Sequence, residues 1–146
     1  MDTLQIDKKI SVPGFLGAFG YDELPTRKDG DFSLIVNTEI STESGDHWVA
    51  LVQKEKLLYF LDSYGRNFKD STFPSGFRKT ILKYVGNSRF KFNPLLLQQF
   101  LSNACGDYCV YFIQELDKGG LTKALSIFSD DLAKNDRMVV EYVKQL

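Results

Sequence analysis

The spacing of apolar positions changes period along this chain, and the changes mark the elements. Residues 1–12 mix charged and apolar positions without a clear period and read as a loose N-terminal arm, and 25–31 (PTRKDGD) read as a loop. The middle is strand-like. Phe32–Thr38 (FSLIVNT) is a short apolar run, and 39–46 (EISTESGD) is a polar loop. His47–Gln53 (HWVALVQ) and Leu57–Ser63 (LLYFLDS) flank Lys54-Glu55-Lys56, a spacing that suits an antiparallel hairpin. Tyr64-Gly65-Arg66-Asn67 then turns the chain. Pro74-Ser75 opens a helix with Phe77, Ile81, Leu82 and Val85 at helical spacing and Gly86 as its stop. Arg89–Asn93 (RFKFN) alternates like a half-exposed strand closed by Pro94, and 95–104 show no clear pattern.

From about Ala104 to Leu116 the period is helical again. Cys105, Cys109, Phe112 and Leu116 form one stripe, and Tyr108, Tyr111 and Ile113 extend it nearly all round, the signature of a central buried helix. Gly119-Gly120 ends it. Two more helices follow, about 121–128 and 130–145, the second with Leu132, Val139, Tyr142, Val143 and Leu146 on one face. The sum is an α+β fold, a small antiparallel sheet with helices packed on it. At 146 residues it is a single domain, 1–146.

Composition narrows the function classes. With 43% hydrophobic and 25% charged residues the chain is not disordered. A net charge of −1 argues against binding nucleic acid through bulk charge. No run of 18 apolar residues is present, so no membrane span is expected, and the start lacks the apolar stretch of a signal peptide. The single histidine and two cysteines supply a metal site poorly, and no metal or other cofactor is expected. Two cysteines four apart on a helix exclude a disulfide scaffold and suit a reducing compartment.

The reactive residue types fall at informative places. Cys105 opens the buried helix, where the positive end of the helix dipole and unpaired N–H groups favour the thiolate. The same N–H groups can meet an oxyanion, and Gly106 would let a substrate come close. The plain reading of a free cysteine is a small buried hydrophobe. His47 is the only histidine, and a lone histidine is more often structural. If the two central strands pair, however, their outer ends are neighbours, and Asp62 comes beside His47 to hold its tautomer. Asp62 would otherwise be a turn residue. Asp46 is the competing acid, but adjacent strand positions point to opposite faces. A side-chain amide of Gln98 or Gln99 stands seven or six residues before Cys105 and would serve an oxyanion. Taken together, histidine, carboxylate, glutamine and helix-starting Cys-Gly make a Cys–His–Asp set.

Several segments, in order, carry a resemblance. They are Phe15-Leu16-Gly17 with Asp22-Glu23-Leu24-Pro25, Leu34–Thr38, Gly45-Asp46-His47-Trp48-Val49, Tyr59–Gly65, and Gln98 and Ser102 with Cys105-Gly106-Asp107-Tyr108-Cys109. The chain resembles the adenovirus-type (adenain-like) maturation cysteine proteases, most of all the versions carried by virophages and Polinton or Maverick elements. That group shares its fold with the SUMO-deconjugating proteases. The resemblance implies a papain-like fold with Cys105 as nucleophile, His47 as general base and acid, and Asp62 orienting His47. It implies Gln98, by the adenovirus-type spacing, as oxyanion donor beside the Cys105 N–H, and Trp48 and Gly106 shaping the substrate groove.

The implied function is an endopeptidase that trims capsid precursor polypeptides during virion maturation, acting in the virion and the infected host cell as a monomer without membrane association. A peptide or DNA activator fits the family, but one linked by a disulfide does not fit two cysteines that share the catalytic helix. A deconjugating protease for a ubiquitin-like or SUMO-like modifier is the alternative. A non-catalytic scaffold copy and an acyltransferase are more distant rivals.

Overall fold

The computed structural model describes residues 2–43 and 46–146. Five strands form one sheet in the order of the chain: β1 (Phe15–Gly20), β2 (Phe32–Asn37), β3 (Trp48–Lys54), β4 (Leu57–Leu61) and β5 (Phe90–Phe92). Helices α1 (Thr3–Lys9), α2 (Ser75–Val85), α3 (Cys105–Lys118), α4 (Leu121–Leu125) and α5 (Leu132–Lys144) cover its two faces.

Strand alternation builds two cores. Phe32, Leu34, Val36, Val49, Leu51, Leu58 and Phe60 face one side, where Phe68, Phe73 and the Phe77-Ile81-Val85 stripe of α2 cover them. Ile35, Ala50, Val52 and Leu61 face the other, against α3, α4 and α5. Helix α3 lies in the middle of that second layer and is buried on nearly every face, as its all-round apolar pattern predicts. Each large side chain buried this way contributes roughly 1.5–3 kcal/mol.

The central hairpin has the expected pairing. β3 and β4 are antiparallel, with Ala50 opposite Leu61 and Lys54 opposite Leu57. The turn is two residues, Glu55 and Lys56, both at positive φ (52° and 67°). That is the twist a tight hairpin needs, supplied here without glycine.

The sheet is mixed, which corrects the antiparallel expectation. β1 runs parallel to β2, and β5 runs parallel to β4. Parallel neighbours need a crossover, and α2 supplies the one between β4 and β5. The β1 segment contains two glycines and no alternation, so its strand character does not show in the sequence.

The N-terminal arm is also corrected. Asp2 caps α1 by accepting from the Gln5 N–H, Gln5 returns the bond in a capping box, and Ile6 is fully buried in the α3-side core. A seven-residue helix with one buried anchor leaves almost no periodic signal. Smaller differences fall at element ends. His47, Asp62 and Ser63 lie just outside the strands, α4 stops at Leu125, and α5 buries Asn135, Val139 and Val143 while Leu146 is exposed.

Candidate active site

The site lies where the outer ends of β3 and β4 meet the first turn of α3. Extending the hairpin register past the Ala50–Leu61 pair sets His47 opposite Tyr64 and Asp62 one diagonal away. The contacts follow that register. The Tyr64 ring stacks on the His47 imidazole with centroids 5.1 Å apart and 26° between planes. His47 Nε2 donates to Asp62 Oδ1 at 2.6 Å. The loop before His47 is pinned to β2, since Thr38 N–H donates to the His47 carbonyl and Asp46 N–H to Asn37 Oδ1. Gly45 of the Gly-Asp-His-Trp segment lies outside the described residues. Asp46 is exposed, so the carboxylate that holds the imidazole is Asp62.

Asp62 is fully buried and every one of its oxygens is engaged. Oδ2 accepts from the Arg66 backbone N–H and from Arg66 Nε at 2.8 Å. Its carbonyl accepts from Gly65 N–H and Asn93 Nδ2. The Arg66 guanidinium in turn lies 3.8 Å over the Phe73 ring. Gly65 is obligatory here. Its φ is +77°, and a Cβ would come within 2.7 Å of the Leu95 backbone.

Helix α3 delivers Cys105 as its first residue. Ala104, the preceding residue, gives no side-chain cap, so the first N–H groups remain open to other acceptors. The backbone N–H of Gly106, in that first turn, and the N–H of Trp48, at the start of β3, both favour the Cys105 thiolate. With His47 Nε2 committed to Asp62, Nδ1 is the ring nitrogen left for Cys105, which hydrogen-bonds the imidazole. Burial opposes charge on both partners, yet the mutual contacts win. Burial pulls the His47 pKa down, while the bonds to Asp62 and Cys105 and their charges raise it to about 9. Burial pushes the Cys105 pKa up, while the His47 bond and charge and the two N–H groups bring it below the ordinary thiol value. Asp62 is likewise held below the usual carboxylate range, burial being outweighed by His47 and Arg66. Both shifts favour a thiolate–imidazolium pair over the neutral pair. Cys109, one turn on and fully buried, is pushed well above its ordinary value by burial and stays a neutral thiol.

The pair opens onto a cleft of about 630 Å³. Trp48, Tyr64, Arg66 and Thr72 line it together with Phe100–Asn103. Of the residues expected from sequence, His47, Asp62 and Cys105 come together, and Trp48 joins them at the cleft. Gln98 and Gly106 do not line the cleft. Gly106 is buried beneath the helix start. Gln98 is buried, with Oε1 accepting from Ser63 Oγ and Nε2 donating to the Ser102 carbonyl and hydroxyl. Its amide thus ties the 98–102 segment to the end of β4. Sequence reasoning missed Tyr64, Arg66, Asn93 and the 100–103 wall. Tyr64 and Ser102 stand in the segments that carry the resemblance but are given no role there, and Arg66 carries a signal of its own, an arginine four residues after the acid. Among the described residues, no cluster of three His, Cys, Asp or Glu side chains is placed to hold a metal ion.

No family model matches the sequence, and no curated protein matches it. Solved structures do. ChlaDub1 from Chlamydia trachomatis is similar, with a TM-score of 0.52 and 15% identity over 79% of this chain and 58% of that one. An ASFV protease matches with a TM-score of 0.47 and 21% identity over 77% of this chain and 44% of that one. The chain thus spans less than two thirds of the length of either. The first likeness is one of fold: the chain shares with ChlaDub1 an α+β, papain-like fold of a mixed sheet with helices packed on it.

Proposed function

We propose that this chain is a cysteine endopeptidase working through a thioester, and that its substrates are precursor polypeptides of a viral capsid. The observation that carries the chemistry is the buried Asp62–His47 bond of 2.6 Å beside a Cys105 whose pKa is held down at a helix start, all opening onto one cleft. The resemblance of the His-Trp, Asp-Ser-Tyr-Gly and Cys-Gly segments to the adenovirus-type enzymes supports the substrate class.

The Cys105 thiolate attacks the scissile carbonyl, and backbone N–H groups at the start of α3 receive the oxyanion. Gln98 would add a side-chain donor by turning its amide from Ser102 to the substrate oxygen. His47, protonated and steadied by Asp62, gives its Nδ1 proton to the leaving amine. It then takes a proton from water as the thioester is hydrolysed. Both cysteines are free. A thiolate mechanism requires that state, which suits the reducing interior of an infected cell and the virion assembled there.

The test is a cleavage assay with two substrates, a capsid precursor and a lysine adduct of a modifier ending in Gly-Gly. Cleavage of the precursor, abolished in Cys105→Ala and His47→Ala, is the expected result. Cleavage of the modifier adduct alone would replace the substrate class while keeping the mechanism. Activity retained in Cys105→Ala would overturn the mechanism.

A further inference from the structure

The strand that follows His47 and the helix that carries Cys105 run side by side, and they are tied at both ends. The seven residues of β3 span about 20 Å at ~3.3 Å per residue, and the 14 residues of α3 span about 20 Å at ~1.5 Å per residue. At one end the Trp48 N–H favours the Cys105 thiolate. At the other the Lys54 ammonium donates to the carbonyls of Leu116, in the last turn of α3, and of Gly119, its C-cap. Alternation sets Lys54 on the α3 side of the strand with Ala50 and Val52.

The strand end from which Lys54 reaches is itself fixed. Lys54 pairs with Leu57, and the Glu55 N–H donates to Asp31 Oδ1 at 3.1 Å. Asp31 and Asp117 line a small cavity beside Lys54, yet the ammonium forms no ion pair among the described residues and is given to the helix carbonyls. Between the two ends, Ala50 and Val52 share the α3-side core with Val110 and Ile113. Apolar packing is non-directional, so it holds the helix to the sheet without fixing where along the strand it sits. A directional bond at the far end does fix it. The Lys54 charge stands about 20 Å from the helix start, well past the ~8 Å Debye length of physiological salt, so position and not field is what it transmits.

We infer that Lys54 is a positioning residue: by capping the C-terminus of α3 from the end of β3, it fixes the axial register of the helix and so the reach of Cys105 to His47. The inference rests on the peptidase reading above. A misplacement of about 1 Å between reacting groups costs about 10²-fold in rate. Without the clamp the helix is free to slide, the sulfur loses part of its contact with the imidazole, and Cys105 behaves more like an ordinary thiol.

The test reads iodoacetamide labelling of Cys105 from about pH 5 to 9 in the whole chain, as wild type, Lys54→Met, Lys54→Arg and Lys118→Met, with thermal unfolding of each. Lys54→Met keeps the stem and removes the donors. It should label about tenfold more slowly at pH 6 and at the wild-type rate at pH 9. Lys54→Arg returns donors to the carbonyls and should stay within about threefold of the wild type throughout. Lys118, an exposed cation in the same turn, pairs with Glu115 of its own helix, so Lys118→Met removes an equal charge and leaves the register alone. Its profile should match the wild type. A lower Tm in Lys54→Met with the pH 6 rate unchanged would make Lys54 a stabilising cap only and overturn the inference. Equal slowing in Lys118→Met, no rescue by Lys54→Arg, or slowing of Lys54→Met at both pH values would overturn it too. If Lys54→Met does not fold, Lys54→Gln, with a shorter uncharged side chain, is read against the same outcomes. A wild-type Cys105 that labels as an ordinary thiol would overturn the thiolate–imidazolium pair, and the peptidase reading with it.

Discussion

At the residue scale, the site is an argument about charge held against burial. Cys105 and His47 both lie in surroundings that disfavour ions, and each favours the charged form of the other. Iodoacetamide should therefore label Cys105 rapidly near pH 6, below the ordinary thiol pKa of about 8.5. Labelling should slow at least tenfold in His47→Ala while Cys109 stays inert, as peptide mass mapping would show. Labelling at the same rate in both proteins would refute the pair. The turnover profile follows from the same shifts. Activity rises as Cys105 loses its proton, and falls above about pH 9 as the imidazolium that must protonate the leaving amine disappears. Arg66 is a positioning residue in this scheme. Its bonds to Asp62 Oδ2 help keep that carboxylate ionised, so in Arg66→Gln the Asp62 pKa rises and the acidic limb of the profile moves to higher pH. A purely structural role would lower activity without moving that limb.

At the element scale, what the sequence disclosed and what it hid divide along physical lines. Alternation over His47–Gln53 and Leu57–Ser63 sets the hairpin register, and the register alone brings Asp62 beside His47. The all-round apolar helix after Ala104 was equally readable, since burial on every side leaves no polar stripe. β1 is hidden because its two glycines and lack of alternation leave no strand period to read. The resemblance implies Gln98 as oxyanion donor, and in the free protein its amide bonds Ser102 and Ser63, so that role requires the amide to turn. Spacing fixes where a side chain starts, not which neighbour its donors reach. The hairpin turn offers a check. Glu55 and Lys56 both carry positive φ without glycine. Lys56→Gly relieves left-handed strain of about 1–2 kcal/mol against a chain-entropy cost of about 0.5–1 kcal/mol, so it should stabilise by about 1 kcal/mol or less, raising Tm by a few degrees in thermal unfolding. Gly65→Ala has the opposite sign, because the added Cβ meets Leu95 backbone at a left-handed position. A loss of about 2 kcal/mol or more is expected. That substitution should also weaken Cys105 labelling, since the 62–66 turn carries Asp62 to His47.

At the scale of the whole molecule, the reacting groups come from two layers. His47 and Asp62 belong to the sheet, and Cys105 belongs to a helix packed on it, so the distance between nucleophile and base is set by how closely α3 docks. Ala50 governs that docking. It is fully buried in the centre of β3, between Ile35 and Leu61, in the same core as Cys109, Val110 and Ile113. The methyl group is the smallest side chain on that face of the strand, and it lets the helix approach. Ala50→Val adds two carbons to a close-packed interior and should cost about 1–3 kcal/mol. If the fold absorbs this by moving α3 outward, the Cys105–His47 bond weakens and the thiolate fraction near pH 6 falls. Thermal unfolding and pH-resolved alkylation of the same variant separate the two effects. The expected outcome is a lowered Tm together with Cys105 labelling slowed about tenfold at pH 6 and restored at pH 9, where even an unpaired thiol ionises. Slowed labelling at both pH values would instead mean that the cleft has closed over Cys105. A lowered Tm with unchanged labelling would show that the helix start is held in place by the bonds around Trp48 and Gly106, independently of the packing beneath it.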